Sequence, residues 1–295
     1  MKVRGIVAGS LLTLGISYAA FAVEVQRTVD ASPDGSVSVS NVAGSIEIMG
    51  WDRNQVVVDA DLGSRVEELI VERSGDEVLV KVRTPNNGNH GARADLVIRV
   101  PESSSIDVGA VSADIDVADI RGEQRLHAVS GDIATSVYAA DIQAEVVSGD
   151  IEVAGDNQPA FSMLSSVSGD IETSGLAGDI EMTSVSGDLV AIDGSFTRGQ
   201  FNTVNGSIEF RARMADDSRL DMETINGGID LHFVDGINAR FDIETFNGAI
   251  RNCFGPKAER TSRYTPGQEL KFTEGDGSGR VTLRTLNGRM DICKD

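Results

Sequence analysis

The sequence predicts an all-β protein, a parallel β-solenoid (β-helix-like) whose coils are about 18–21 residues long. Three observations carry this expectation. A short phrase recurs: VSADI from Val111, VSGDI from Val129, Val147 and Val167, and VSGDL from Val185, drifting to VNGSI from Val204, INGGI from Ile225, FNGAI from Phe246 and LNGRM from Leu286. Apolar and polar residues alternate on both sides of each phrase, as strands require, and no stretch shows helical periodicity. Glycine is abundant, at 32 residues, while aromatics are only 5%. That balance suits many tight turns and small inward side chains better than a large globular core.

Taken in chain order, residues 1–22 read as a secretory leader. Lys2 and Arg4 form a charged start, Ile6 to Tyr18 an apolar stretch, and Ala20-Phe21-Ala22 an A-x-A cleavage site. The apolar stretch is short for a membrane span, and no second run of about 18 apolar residues follows. A soluble product in the periplasm or outside the cell, with no membrane span after cleavage, is the expectation.

Residues 23–110 read as an N-terminal β region that starts the solenoid. VAGSI at Val42 is an early copy of the phrase, Leu69 to Val82 resembles a hairpin around Ser74-Gly75-Asp76, and Asp95 to Val100 is a further strand. Pro85 to Gly91, rich in Asn and Gly, is an expected loop. Residues 111–295 form the repeat solenoid itself, interrupted at 255–279 by an excursion with Pro256, Pro266 and a Gly-rich tract. Loops of that length are uncommon in compact proteins.

Within each repeat, an alternating strand leads to a turn centred on Gly131, Gly149, Gly169, Gly187, Gly206, Gly227, Gly248 or Gly288, and a second strand follows. These glycines are expected to hold positive φ. A hairpin meander is the rival, since Asn-Gly between apolar residues is a strong hairpin signal. A two-residue hairpin would put Val167 and Ile171 on opposite faces, whereas a wider corner lets both point inward. The corner suits the chemistry, so stacked Val, Ile and Leu columns are expected to hold neighbouring coils together.

Cys253 and Cys293, the only cysteines, each lie six residues beyond the Asn of their own repeat, Asn247 and Asn287. Equivalent positions in adjacent coils would be close enough for a disulfide, and an oxidising compartment would favour it. The bridge would clamp the last coil and close the excursion; an extra coil inserted between the two would break the geometry.

Asp114, Asp132, Asp150, Asp170 and Asp188 form one acidic column beside the turn. Glu152, Glu172, Glu209, Asp230 and Asp291 form part of a second, expected to face outward. Both read as turn acceptors and solvated charges, the alternative being cations bound between the stacked carboxylates to relieve their repulsion. Asn205, Asn226, Asn247 and Asn287 can form a stacked amide ladder, and the Thr203, Thr224, Thr245 and Thr285 column should pack inward. Trp51, with Asp52 and Arg53, reads as an edge residue over the core, or a surface for a sugar or partner. His90, His127 and His232 share no metal-ligand spacing. No nucleophile elbow, Walker A loop, zinc-protease helix or dinucleotide fingerprint occurs. No catalytic, metal or cofactor site is expected.

The V-S-G-D-I and T-x-N-G-x-I phrases, with the leader and the closing LRTLNGRMDI, resemble the bacterial "putative adhesin" family of β-strand-repeat proteins. The resemblance implies an envelope or surface role and transfers no functional residue. The net charge of −20 argues against nucleic acid and anionic lipid as partners. The leading expectation is a non-enzymatic scaffold for an envelope protein or surface glycan. The alternatives are a polysaccharide-cleaving β-helix enzyme and an envelope-stress sensor. An uncapped sheet edge would permit end-to-end self-association.

Overall fold

The computed structural model describes residues 23–85, 92–262 and 266–294. The leader expected at 1–22 and residues 86–91 of the Asn-Gly loop lie outside the described residues. Every regular element among the described residues is a β-strand, and most pairings are parallel. One coil illustrates the rest. Gln124–Ser130 runs to a corner at Gly131 and Asp132, and Ile133–Val137 returns along the other side. Ile142–Ser148 then lies parallel to Gln124–Ser130, with Ile142 beside Gln124 and Ser148 beside Ser130. The chain thus steps 18 residues per coil here, and first strands stack on one face while second strands stack on the other.

Between the faces lies a single apolar interior. Leu126 and Ala128 point in from the first strand, and Ile133 and Val137 from the second. Towards the C-terminal end the interior turns aromatic. Phe201 meets Phe210 edge-on across the two faces, at a centroid distance of 5.7 Å, and Phe233, Phe241, Phe254 and Phe272 continue the cluster. The two buried polar residues of the coil above, Gln124 and Thr135, satisfy each other: Thr135 Oγ1 donates to Gln124 Oε1, and Gln124 Nε2 donates to the Ser136 carbonyl.

The corner glycines have a purpose the sequence only half suggests. Among the eight, Gly131, Gly149 and Gly169 have positive φ, while Gly187, Gly206, Gly227, Gly248 and Gly288 do not. What all eight share is contact: a Cβ built on each would come within 1.7–2.3 Å of a carbonyl oxygen on the neighbouring coil, in seven of them the corner glycine's own. Seven of the eight, all but Gly248 of the outer coil, also donate their N–H across the corner, Gly169 to the Ser186 carbonyl and Gly206 to that of Asn226. Backbone pairing therefore continues around the bend, and only glycine fits there.

The order of coils in space departs from their order in sequence, against the expectation of sequential stacking. Ser36–Trp51, the first coil, lies between Ser105–Ala118 and a coil built later from Glu77–Arg83 and Ala94–Pro101. The C-terminal end mirrors this. Gly279–Asn287 lies between residues 219–226 and Ala239–Asn247, and Met290–Lys294 lies between Ile229–Phe233 and Ile250–Asn252. The last coil in the chain is thus the second from the end.

Antiparallel strands cover the outer coils. Gln55–Leu62 pairs with Ala94–Pro101, and Glu68–Ser74 pairs with Glu77–Arg83. At the other end, Gln268–Glu274 pairs with Ala239–Asn247, so the 255–279 excursion contains strand where a loop is expected. Phe272 stacks on Phe241 with centroids 4.3 Å apart, which seals that end. Covering an edge in this way removes the row of free backbone groups that invites further pairing.

Cys253 and Cys293 are bonded, with Cα atoms 4.9 Å apart. Because the excursion crosses outside the outer coil, no coil separates the two. The bond ties the inserted C-terminal coil to the outer coil, rather than clamping a coil at the tip.

Two stability measurements follow from these contacts. Gly169→Ala places a methyl 1.9 Å from the Gly149 oxygen at a φ of +149° and should cost about 3 kcal/mol or more. Gly109→Ala, where nothing lies within 4 Å, should leave the melting temperature unchanged, and equal effects of the two would contradict the corner account. Reducing the disulfide, which joins residues 40 apart, should lower stability by about 3–4 kcal/mol. Urea midpoints with and without dithiothreitol read this directly.

Candidate binding surface

The recurring Val column, expected to point inward, is on the surface. Val111, Val129, Val147, Val167, Val185, Val204, Ile225, Phe246 and Leu286 are 37–57% exposed. The parity of the strand explains the correction. The residue just before each of them faces the interior, and in the later coils it is a buried Thr whose hydroxyl donates to a corner carbonyl of the adjacent coil. Thr224 Oγ1 reaches the Gly206 oxygen at 2.9 Å, and Thr203, Thr245 and Thr285 do the same to Gly187, Gly288 and Gly227. With that residue held inward, its successor must face out.

In-register pairing turns the column into a continuous apolar ladder. Its spatial order is Val111, Val129, Val147, Val167, Val185, Val204, Ile225, Leu286, Phe246, because the inserted coil places Leu286 before Phe246. At about 4.8 Å per strand the row is roughly 38 Å long. Single exposed apolar residues are ordinary, but a contiguous row on this scale marks an interaction surface.

The ladder is flanked by fixed polar columns. On the corner side, Asn226 donates to Asn205, Asn287 to Asn226 and Asn247 to Asn287, at 2.9, 2.9 and 3.3 Å. The Asp column is tied in similarly. Asp114, Asp132, Asp150 and Asp170 each accept the backbone N–H of the next Asp at 2.7–3.1 Å, and Asp188 accepts that of Ser207. Their carboxylates keep the corner side of the ladder acidic while serving as coil-to-coil acceptors.

Along the N-terminal half, the outer face beside the ladder sinks into a groove of about 520 Å³. Val111, Val129, Val147 and Val167 form one wall, and His127, 3.5 Å from Glu145, contributes to the other. The groove opens at Gly109, which has no side chain in the column where other coils carry His127 and Glu145. At the opposite end a wider cleft of about 900 Å³ is lined by Arg219, Arg240, Arg280, Arg284 and Lys271 among other residues. Of its three acids, Asp221 pairs with Arg219 and Asp242 with Lys271, and Glu223 lies opposite Arg284 in the strand pairing.

The remaining sequence candidates fall elsewhere. Glu152, Glu172, Glu209 and Asp230 line the outer side of the second face, but Asp291, expected outward, is 8% exposed and lies beside Arg251 and Arg289. Trp51 is half-buried, donates its indole N–H to the Gln55 carbonyl and lies under Arg53. His127 is on the first face and His232 on the second, and His90 lies outside the described residues. Among the described residues, no three His, Cys, Asp or Glu side chains gather closely enough to hold a metal ion. Among them, too, no helix is long and apolar enough to cross a membrane.

A family profile described as Toastrack DUF4097 matches residues 35–292. No curated protein matches the chain. Among solved structures, the chain is similar to a "putative adhesin" from Bacteroides fragilis NCTC 9343, at 10% identity, covering 91% of this chain and 96% of that one, with a TM-score of 0.46. It is also similar to a "putative lipid binding protein" from Parabacteroides distasonis ATCC 8503, at 13% identity, 92% and 96% coverage and a TM-score of 0.44. A "putative cell adhesion protein" from Clostridium sporogenes ATCC 15579 matches at 9% identity, 92% and 100% coverage and a TM-score of 0.25.

The outer acidic column of the second face sets a pH dependence. Burial, followed by the nearby Glu47 and Asp114 carboxylates, raises the Asp116 pKa above its ordinary 3.8. The native state then holds this proton to higher pH than the unfolded chain does, so the contribution of Asp116 to stability is greatest below the unfolded value and declines as pH rises through the folded one. Asp116→Asn should therefore melt higher than the parent at pH 7, with the difference closing near pH 3. Melting curves across that range check it, and a difference that persists in acid would contradict the assignment.

Proposed function

The chain belongs to the Toastrack DUF4097 family, and from that premise we propose that it is a non-catalytic binding module of the bacterial cell envelope. In this reading the coil stack is a parallel β-solenoid that docks a partner protein along its apolar ladder. The observation that carries the reading is the ladder itself: nine large apolar side chains, each at least 37% exposed, in register on a rigid frame. Keeping that row exposed has a solvation cost that a monomer with no partner gains nothing from.

The flanks indicate the partner's chemistry. The Asp column from Asp114 to Asp188 on the corner side gives the N-terminal half of the row an acidic border, and on the strand side Glu145, Glu223 and Glu244 outnumber the one arginine of their column, Arg284. The complementary surface is an extended aliphatic segment of a protein bordered by Lys or Arg. Support for an address outside the cytoplasm comes from the leader pattern of residues 1–22 and from the Cys253–Cys293 bond, which such compartments favour.

Site-specific photo-crosslinking in intact envelopes tests the proposal. A photoreactive residue at Val129 or Val147 should give one discrete protein adduct, and the same probe at Glu152 or Glu172 on the opposite face should give none. Gly109→Leu, which fills the groove from a position with open space around its Cβ, should abolish the adduct while leaving melting unchanged. Equal labelling from both faces, or an adduct indifferent to Gly109→Leu, would refute docking on the ladder.

A further inference from the structure

The inserted C-terminal coil does more than bury a chain end. In the parallel pairing, Arg198 lies beside Arg219, Arg219 beside Arg280, and Arg280 beside Arg240. Four arginines from separate coils thus form one row on the outer side of the first face, all exposed to solvent. At about 4.8 Å per strand the row spans roughly 14 Å. Arg198 is paired with Asp179 and Arg219 with Asp221, but neither Arg280 nor Arg240 has a carboxylate partner among the described residues. A stacked row of like charges is self-repulsive, and here it stands in a chain of net charge −20, where acids to neutralise it are plentiful.

The setting is a built cleft, not a bare patch. Gln268–Glu274 extends the face beyond Ala239–Asn247 and brings Lys271 to the cleft lining. The turn at Gly277, where φ is +71°, lies against the Arg240 side chain: a Cβ there would be 3.1 Å from Arg240 Cγ. The column beside the arginine row runs Gln200, Asp221, Thr282, Asp242, with Asp221 neutralised by Arg219 and Asp242 by Lys271, while Asn202 and half-buried Phe272 also contribute to the lining.

We propose that this cleft binds an acidic oligosaccharide carrying one carboxylate per sugar, its carboxylates seated along Arg219, Arg280 and Arg240. Guanidinium forks match carboxylates bidentately. A sugar ring with its linkage is about as long as one strand spacing, so successive carboxylates meet successive arginines. Amide and hydroxyl groups suit sugar hydroxyls, and the Phe272 ring offers a face to sugar C–H groups. A nucleic acid strand, with phosphates about 3.4 Å apart along the axis, is out of step with the row. This site lies on the same face as the apolar ladder and meets its flank at Glu223 and Arg284, but the arginine row stands six residues before the ladder on each strand and does not rest on the docking proposal.

Fluorescence polarisation of labelled tetragalacturonate at low salt, with the disulfide-intact protein, tests the assignment. Saturable binding is expected, with Arg280→Gln and Arg240→Gln each weakening it at least tenfold. Arg211→Gln, on the other face, and Val147→Asp, in the ladder, should leave it unchanged. Cellotetraose should not compete, and tetrapolyphosphate should compete at least tenfold less well than unlabelled tetragalacturonate. Melting curves of each variant exclude misfolding as the cause of any loss. No binding at millimolar ligand, binding indifferent to both arginine changes, or equal competition by tetrapolyphosphate would overturn the proposal. The Val147→Asp control separates its failure from that of the ladder.

Discussion

The contact on which the structure depends is backbone on backbone at the corner. Each repeat's glycine lies against a carbonyl of a neighbouring coil, so closely that a single methyl would overlap it. This contact holds neighbouring coils at strand spacing through the bend, where pairing would otherwise lapse. It fixes register as well, because sliding a strand by one residue would bring a Cβ against that carbonyl. Once register is fixed, every residue type repeated in the sequence becomes a column. The Thr hydroxyls that satisfy the corner carbonyls then decide which columns are inside. The exposed ladder is a consequence of the corner, since the position after each inward Thr, Ser, Ala or Val must face water.

The ends obey a different constraint. A stack of parallel coils leaves an unpaired edge at each tip, and a terminal coil joined to the rest on one side only would fray. Here the first and last coils of the chain are each held between two others, and antiparallel strands lie outside. At the C-terminal end the disulfide makes that arrangement covalent. The same insertion sets Arg280 between Arg219 and Arg240, so a device for protecting an edge also composes a charged surface.

Much of this was legible in the sequence because a repeat is its own alignment. The strand-corner-strand unit, the inward Thr column, the Asn ladder and the adjacency of Cys253 and Cys293 all follow from local spacing. The outward direction of the Val column is less visible, because a corner that lets Val167 and Ile171 share a face does not by itself say which face. The inward parity of Thr203 and Thr224, counted one residue further, puts Val204 and Ile225 outside. Other features had no local signal. Arg219 and Arg280 are neighbours only because a coil from the end of the chain enters the stack, and no periodicity within 20 residues encodes that. The strand at Gln268–Glu274 was hidden because it pairs antiparallel, outside the repeat.

Paired cysteine labelling along one strand tests the central claim most directly, since the native cysteines are bonded and the background is silent. Val147→Cys and Val185→Cys place thiols in the ladder, while Val146→Cys and Ser184→Cys place them one residue earlier, at the inward column. The account predicts that the ladder thiols react with a small maleimide at nearly the rate of an unfolded control, and that the inward thiols are protected until the protein is denatured. The reverse pattern, or equal protection at 146 and 147, would mean that the corner does not set the parity and that the apolar ladder is not a surface.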